Sequence, residues 1–351
     1  MVTGTITLIL MATVTGAAMA SAPGDHAIKR IDPPEQGFYA KEIDCDGILI
    51  KAPAEVSDAA ILEAARRISR VLEHIPVVRR NLAAVGAEHH IIGKDQQTSD
   101  LPEWRQMKGK PHWDGSASFD QRTRGMGGLV SSSGEENLLK LPSDRYKDHR
   151  DICSHEFSHG ILGSGVSPEI VRKFEEQRQR STAKGLWKSY AGTNTQEFFA
   201  ELTMWYFGTR GDYGSIQPKP EPGRAWFRRY DPEAYALFDS FYSGRLPVPP
   251  IKVVRIGLSA RKNPVAVAGA PSKASVVIVQ NNTAGSIKTY MIAGDGTRQQ
   301  VDTIPPGGRY DNNAHASGQW EVTDQEGKSL GFFTAPASTG LVIVSGRPSA
   351  S

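Results

Sequence analysis

The sequence predicts an α+β domain followed by a small all-β sandwich. Three observations carry that reading. Ile61, Ala65, Ile68, Leu72 and Ile75 recur at four- and three-residue intervals, the apolar face of an amphipathic helix. Further helical segments follow as far as Tyr242, several of them opened by Pro or closed by Gly. From Ala274 onward the texture changes to short β-branched runs separated by turn signals. A chain of 351 residues suits about two domains of this kind.

Composition narrows the class. The chain is 39% hydrophobic and 23% charged, too apolar and too evenly charged for a wholly disordered protein. With 41 basic and 38 acidic residues the formal net charge is only +3, which argues against a nucleic-acid partner bound through bulk charge. The two cysteines, Cys45 and Cys153, are too few for a disulfide framework or a Cys-rich zinc ribbon. One disulfide between them and two buried thiols both remain open.

Taken in order, residues 1–20 read as a signal peptide. The apolar run from Ile6 ends in Ala18-Met19-Ala20, a small-x-small cleavage pattern, although no Lys or Arg precedes the run. The expected location is therefore secreted or periplasmic, with no membrane span once the signal is removed. Residues 21–56 form a mixed, Pro-containing N-terminal segment that the pattern does not place. Residues 57–243 form the main domain. In it a helix over 57–75 is capped by Ser57 or Asp58, and a short strand covers Glu88 to Ile92. A loop-like stretch runs from Asp95 to Gly128, then a helix from Asp148 to Leu162. A second helix opens at Pro168 and runs to about Arg180, a third spans Thr195 to Phe207, and a last one spans Pro232 to Tyr242. Residues 244–271 read as a Pro-rich linker and connecting segment. Residues 272–347 read as an antiparallel sandwich, with strands at Ser275–Gln280, Ile287–Ile292, Gln319–Thr323, Leu330–Phe333 and Leu341–Val344.

The chemistry is concentrated in His155-Glu156-Phe157-Ser158-His159. On a helix, two histidines four apart lie on one face, one turn apart, so both imidazoles can reach one metal ion. Glu156, beside them, can act on a water at that metal. This is the HExxH pattern of two zinc ligands and a general base. A catalytic zinc commonly takes a third protein ligand. Glu197 and Glu201 are four apart on a helix that Phe198, Phe199, Leu202 and Trp205 make largely buried. One of these carboxylates can bind the metal and the other can hold a ligand histidine by its distal N–H; spacing does not say which is which.

HEFSH, followed by Tyr190 and by Glu197-Phe-Phe-Ala-Glu201, resembles the gluzincin peptidases, and among them the catalytic domain of anthrax lethal factor. The likeness covers roughly residues 125–208. It implies a zincin-like metallopeptidase fold for the main domain and Zn2+ as cofactor. It further implies His155, His159 and Glu197 as ligands, Glu156 as general base, Glu201 behind a ligand histidine, and Tyr190 as a donor to the developing oxyanion. The implied reaction is hydrolysis of a peptide bond in a protein or peptide substrate by a zinc-activated water. The rival class is a catalytically silent metal-binding adhesion or recognition protein that works through its sandwich. Loss of the base or of a ligand would favour that class, and all of them are present.

Weaker signals read differently. His89 and His90 are adjacent on a strand and point to opposite faces, so they do not form a ligand pair. His149 reads as a surface residue. Cys153 lies two residues before His155, away from the ligand face. Gly125-Met-Gly-Gly128 lacks a following GK[ST], which argues against a phosphate loop; a flexible wall near the cleft is the alternative reading. Asp44-Cys-Asp46-Gly47 lacks the rest of a calcium loop. In the last domain Asn281-Asn-Thr, Asp295-Gly296, Ile304-Pro-Pro-Gly307 and Gln319-Trp320 resemble the β domain of the von Hippel–Lindau tumour suppressor, over about residues 274–335. That family's hydroxyproline pocket keeps only the Trp320 counterpart here. Met291, Val301, Ala314 and Gly318 stand at its other positions, so the resemblance implies the sandwich without the pocket. A protein or matrix surface is the partner expected for such a module.

Overall fold

The computed structural model describes residues 27–146, 148, 150–260 and 274–345. The signal-peptide expectation, the reading of His149 and part of the connecting segment lie outside the described residues. Among the described residues no helix is long and apolar enough to cross a membrane.

The first half of the chain builds a six-stranded sheet with helices packed on it. The strands are β1 (Lys29–Glu35), β2 (Tyr39–Cys45) and β3 (Ile48–Pro53), then β4 (Glu88–Ile92), β5 (Gly125–Met126) and β6 (Val130–Gly134). Their order across the sheet is β1-β2-β3-β4-β6-β5. β3, β4 and β6 run parallel; β1, β2 and β5 are antiparallel to their neighbours. The segment the pattern could not place thus supplies half of this sheet. Its β2–β3 turn is Asp46-Gly47, both residues at positive φ, as a two-residue hairpin requires. Asp44-Cys-Asp46-Gly47 is this turn.

Between β3 and β4 lie α1 (Asp58–Leu72) and α2 (Pro76–Val85). Ser57 caps α1 by accepting from Ala60 N, and Ile61, Ala64, Ala65, Ile68 and Leu72 enter the core, as the periodicity predicts. The predicted helix through Ile75 breaks at Glu73, and Pro76 opens α2 at a new angle. Two single-turn helices follow, α3 (Phe119–Arg122) and α4 (Glu135–Leu138). α5 (Ile152–Gly160) carries HEFSH and ends in a wide turn over Ile161–Gly165. α6 (Pro168–Ala183), α7 (Thr195–Tyr206), α8 (Arg224–Tyr230) and α9 (Pro232–Tyr242) complete the helical half. They close on an aromatic core in which Phe174, Phe199, Phe238 and Phe241 meet at ring distances of 4.8–5.7 Å.

The C-terminal module is two four-stranded sheets. β7 (Val253–Ile256), β8 (Ala274–Asn282), β11 (Arg309–His315) and β14 (Thr339–Ser345) form one, in the order β11-β8-β14-β7. β9 (Ile287–Ile292), β10 (Arg298–Ile304), β12 (Gln319–Asp324) and β13 (Ser329–Thr334) form the other, in the order β10-β9-β12-β13. Only the second sheet is wholly antiparallel, which corrects the expectation of an antiparallel sandwich. β14 inserts between β8 and β7 and runs parallel to both; a run of β-branched residues announces a strand but not its direction. Trp320 stacks on Phe333 at 5.8 Å inside this core and is 1% exposed.

Part of the predicted linker is ordered structure. Asn81 donates to the carbonyls of Gly165 and Pro249 and accepts from Ile251 N, pinning the segment to α2. β7, also within 244–271, joins the sandwich. The modules are not independent beads. Ile278 and Leu341 belong to the core of the first module. Arg309 donates to Gly86 O and faces Glu88, and Ser164 donates to Asp311 at 2.9 Å.

Candidate metal centre

α5 begins where Asp151 turns its carboxylate back onto Ser154 N, 3.1 Å away. Arg67 fixes that carboxylate from α1 at 2.7 Å. α7 begins in the same manner, with Asn194 Oδ1 accepting from Glu197 N at 2.9 Å. Two capped helices packed against each other therefore set His155, His159 and Glu197 on facing surfaces.

The three side chains converge. His155 Nε2 lies 3.3 Å from His159 Nε2 and 3.3 Å from Glu197 Oε2, and His159 Nε2 lies 3.7 Å from Glu197 Oε2. Donors at about 2.0–2.1 Å from a tetrahedral zinc stand about 3.3–3.4 Å apart, which two edges of the triangle match and the third exceeds by about 0.3 Å. Glu197 Oε2 is buried with no well-formed hydrogen bond, which leaves its lone pairs pointing at this space. The residues present fit a divalent metal, and this group can hold one.

The surroundings suit that role. His159 Nδ1 lies 3.3 Å from Gln196 Oε1, the arrangement that leaves Nε2 free to ligate. Burial and the neighbouring His155 hold His159 down at about 4, so it is a neutral imidazole at pH 7. Burial also pulls His155 down, but the Glu197 carboxylate and the charges of Glu156 and Glu201 outweigh it and raise it to about 9. Glu201, buried, faces His155 Nδ1 at 3.4 Å and accepts from Asp212 N. Glu156 Oε2 is 4.0 Å from His159 Nε2, and burial pushes this carboxyl up to about 7. Tyr190 donates its hydroxyl to Glu197 Oε1 at 3.0 Å and is 46% exposed at the mouth of the site. All six residues singled out in the sequence line one cleft of about 790 Å3.

Comparison with known proteins adds little. No family model matches the chain, and no curated protein matches it. A solved structure with detectable likeness is the PRO-PRO endopeptidase from Paenibacillus alvei, at 17% identity and a TM-score of 0.35, covering 55% of this chain and 96% of that one. The likenesses to the lethal-factor catalytic domain and the von Hippel–Lindau β domain rest on the residues quoted for them.

The cleft also contains residues that sequence reasoning missed. Gln196 orients His159. Asp212 accepts from Tyr190 N at 3.0 Å and from Arg150 at 3.2 Å while its own N–H serves Glu201. The glycines of β5 and its sequel have a sharper role than a wall. A Cβ on Gly127 would sit 2.2 Å from His159 Cδ2, and one on Gly125 would sit 2.9 Å from Glu156 Cγ. The strand lies directly on the motif helix because it has no side chains there. Asp311, Asn312 and Asn313 of β11 line the far wall, so the sandwich is part of the cleft. His89 and His90 stay out of it. His89 is held between Ser131 and Ser133, and His90 among Tyr39, Glu88 and Glu103. Cys45 and Cys153 are both buried and are not joined, which leaves the reading of two buried thiols.

Proposed function

We propose that this chain is an exported zinc-dependent endopeptidase. The observation that carries the reading is the convergence of His155, His159 and Glu197 at zinc-ligand spacing, with Glu156 and Tyr190 on the open side of the same cleft. His155, His159 and Glu197 would hold Zn2+, which supplies Lewis acidity and an acidified water at neutral pH. Export rests on the apolar run from Ile6 to Ala20 with its small-x-small end.

The chain's own groups then divide the work. Glu156 is a buried carboxylate whose affinity for protons is raised toward neutrality, so at pH 7 it can take a proton from water and return it to a leaving amine. Tyr190 keeps its proton at neutral pH, since burial and Glu197 raise its hydroxyl above the ordinary value. Its O–H can turn from Glu197 to the oxygen of a substrate carbonyl as negative charge develops there. Gln196 lies at the distal nitrogen of His159 and Glu201 faces that of His155 at 3.4 Å, where each can fix which nitrogen faces the cleft.

The test is cleavage of a diverse peptide library by the wild type and by Glu156→Gln, with zinc measured in both. Cuts made only by the wild type, with about one zinc in each protein, support the reading. Zinc in both with no cuts by either overturns it in favour of a binding protein.

A further inference from the structure

The seam between the two modules encloses a second pocket of about 390 Å3 that none of the chemistry above uses. Gly127, Gly128, Asp311 and Asn312 line both this pocket and the metal cleft, so the two spaces adjoin along these residues. We propose that the seam pocket is a peptide-binding subsite of the cleft and that the substrate is an extended, non-acidic peptide long enough to run from the metal group to the sandwich. The proposal rests on the peptidase reading for what happens to that peptide.

The lining states what the ligand must carry. Among the described residues Trp104 Nε1 and Asn312 Nδ2 are buried donors with no well-formed hydrogen bond, and Asn312 as a residue is 9% exposed. The Asn312 amide approaches the Asp302 carboxylate without forming a proper hydrogen bond. Trp104 Nε1 and the poorly paired Asn312 Nδ2 lie behind the wall of this pocket, and an oxygen acceptor that reached them would satisfy both. The charges of the pocket select which kind. Lys51, His90 and Arg309 are taken up by Glu35, Glu88 and Glu103 in a closed network. Asp302 and Asp311 stand outside it with no cation within 4 Å among the described residues; Asp311 accepts only the Ser164 hydroxyl. A carboxylate or phosphate ligand would meet these two negative charges. A peptide group satisfies both demands: its C=O serves Trp104 and Asn312, and its N–H faces the carboxylates. β11, which bears Asp311 and Asn312, is the edge strand of its sheet, so one side of its backbone is open to an extended chain.

The experiment measures peptide binding to the zinc-loaded Glu156→Gln protein, in which cleavage is expected to be about 100- to 10,000-fold slower. A peptide from the library is lengthened residue by residue at either end, and each length is titrated by fluorescence anisotropy. The expected result is a rise in affinity of about tenfold or more once the peptide reaches the seam. The rise falls below about twofold in Asn312→Leu and in Trp104→Phe made in the same background. A Glu placed in the seam segment should weaken binding relative to Gln. Trp104→Phe keeps an aromatic ring beside Phe119 and Tyr310 while removing the N–H and part of the indole, so it reports on this side of the pocket even if Asn312→Leu melts early. An affinity independent of length, or a length gain that both variants retain, overturns the subsite. A length gain that the variants abolish, in a protein whose wild type cuts nothing, overturns the peptidase reading and leaves the subsite standing.

Discussion

Glu156 and the carboxylates beside it are separable because they touch different things. Glu156 faces the cleft and ligates nothing, so Glu156→Gln should keep its zinc while turnover falls about 100- to 10,000-fold, checked by metal analysis and kcat on one peptide. On the proposed reading Glu197→Ala removes a metal ligand, whereas Glu201→Ala removes the carboxylate that faces His155 Nδ1 and accepts from Asp212 N. Zinc affinity, measured by competition with a chelator, should therefore fall much further in the first than in the second, whose loss is about 10- to 100-fold. Equal losses would mean that the two carboxylates are wrongly assigned. Away from the site, the buried pair His89 and His90 gives stability a pH optimum. His90 is raised to about 9, because Glu103 and Glu88 outweigh burial. Below about 6.5 it is protonated both folded and unfolded, and its contribution is whole; the contribution is lost as pH rises through about 9. His89 is lowered to about 3 by burial, so its neutral state favours folding above about 6.5 and the contribution is lost as pH falls toward 3. Urea denaturation across this range should show both limbs. His90→Gln should flatten the alkaline one and cost about 3 kcal/mol at pH 6.5, since it strands Glu103 in the interior.

At the level of elements, the metal group depends on how closely β5 and its sequel can lie on α5. Gly127→Ala puts a methyl into His159, so the imidazole must turn or the strand must lift. The expected outcome is a loss of zinc affinity of about tenfold or more, while Gly257→Ala, whose Cβ would meet nothing within 4 Å, leaves it unchanged. Helices were legible where the sequence marks their ends: apolar spacing with Ser57 before α1, and Pro232 at the start of α9, whereas Asn194, which caps α7, was not read as a cap. The strands were legible only where they are apolar. β10 is Arg298–Ile304 and β11 is Arg309–His315, both mostly polar because one side of each meets solvent or the cleft rather than core. They carry no alternation to find, and β11 proves to be a wall of the site. α8 hides for another reason: its seven residues make only about two turns, too few to show an apolar period. The start of α5 falls at Ile152 rather than Asp148 because the Asp151 carboxylate is turned onto Ser154 N and cannot lie inside the helix. The His155, His159 and Glu197 group was legible because two histidines four apart on one helix and a carboxylate on a second buried helix are the pattern a metal requires. Gln196 and Asp212 were not, since what they do depends on a partner elsewhere in the chain.

For the whole molecule, the decisive question is whether the sandwich is an appended binding module or a part of the enzyme. An appended module can be removed at the Pro-rich segment with activity intact. This structure argues otherwise on three counts. Ile278 and Leu341 complete the core of the first module, so cutting after Pro250 exposes the apolar surface they cover. Arg309 reaches across to Gly86 O and Glu88, next to the β4 residues that hold the His90 network. Val276, Asp311, Asn312 and Asn313 form a wall of the cleft that truncation would open to water. Truncation after Pro250 should therefore lower the melting temperature by about 10 °C or more, and peptidase activity should fall with it. Arg309→Met is the milder variant: it removes the tie and leaves the sandwich in place. It should cost about 2–3 kcal/mol, because Glu88 loses one of its cations, and should weaken peptide binding more than it changes zinc content. A truncated protein that melts and cuts like the full chain would return the sandwich to the role of a separate module.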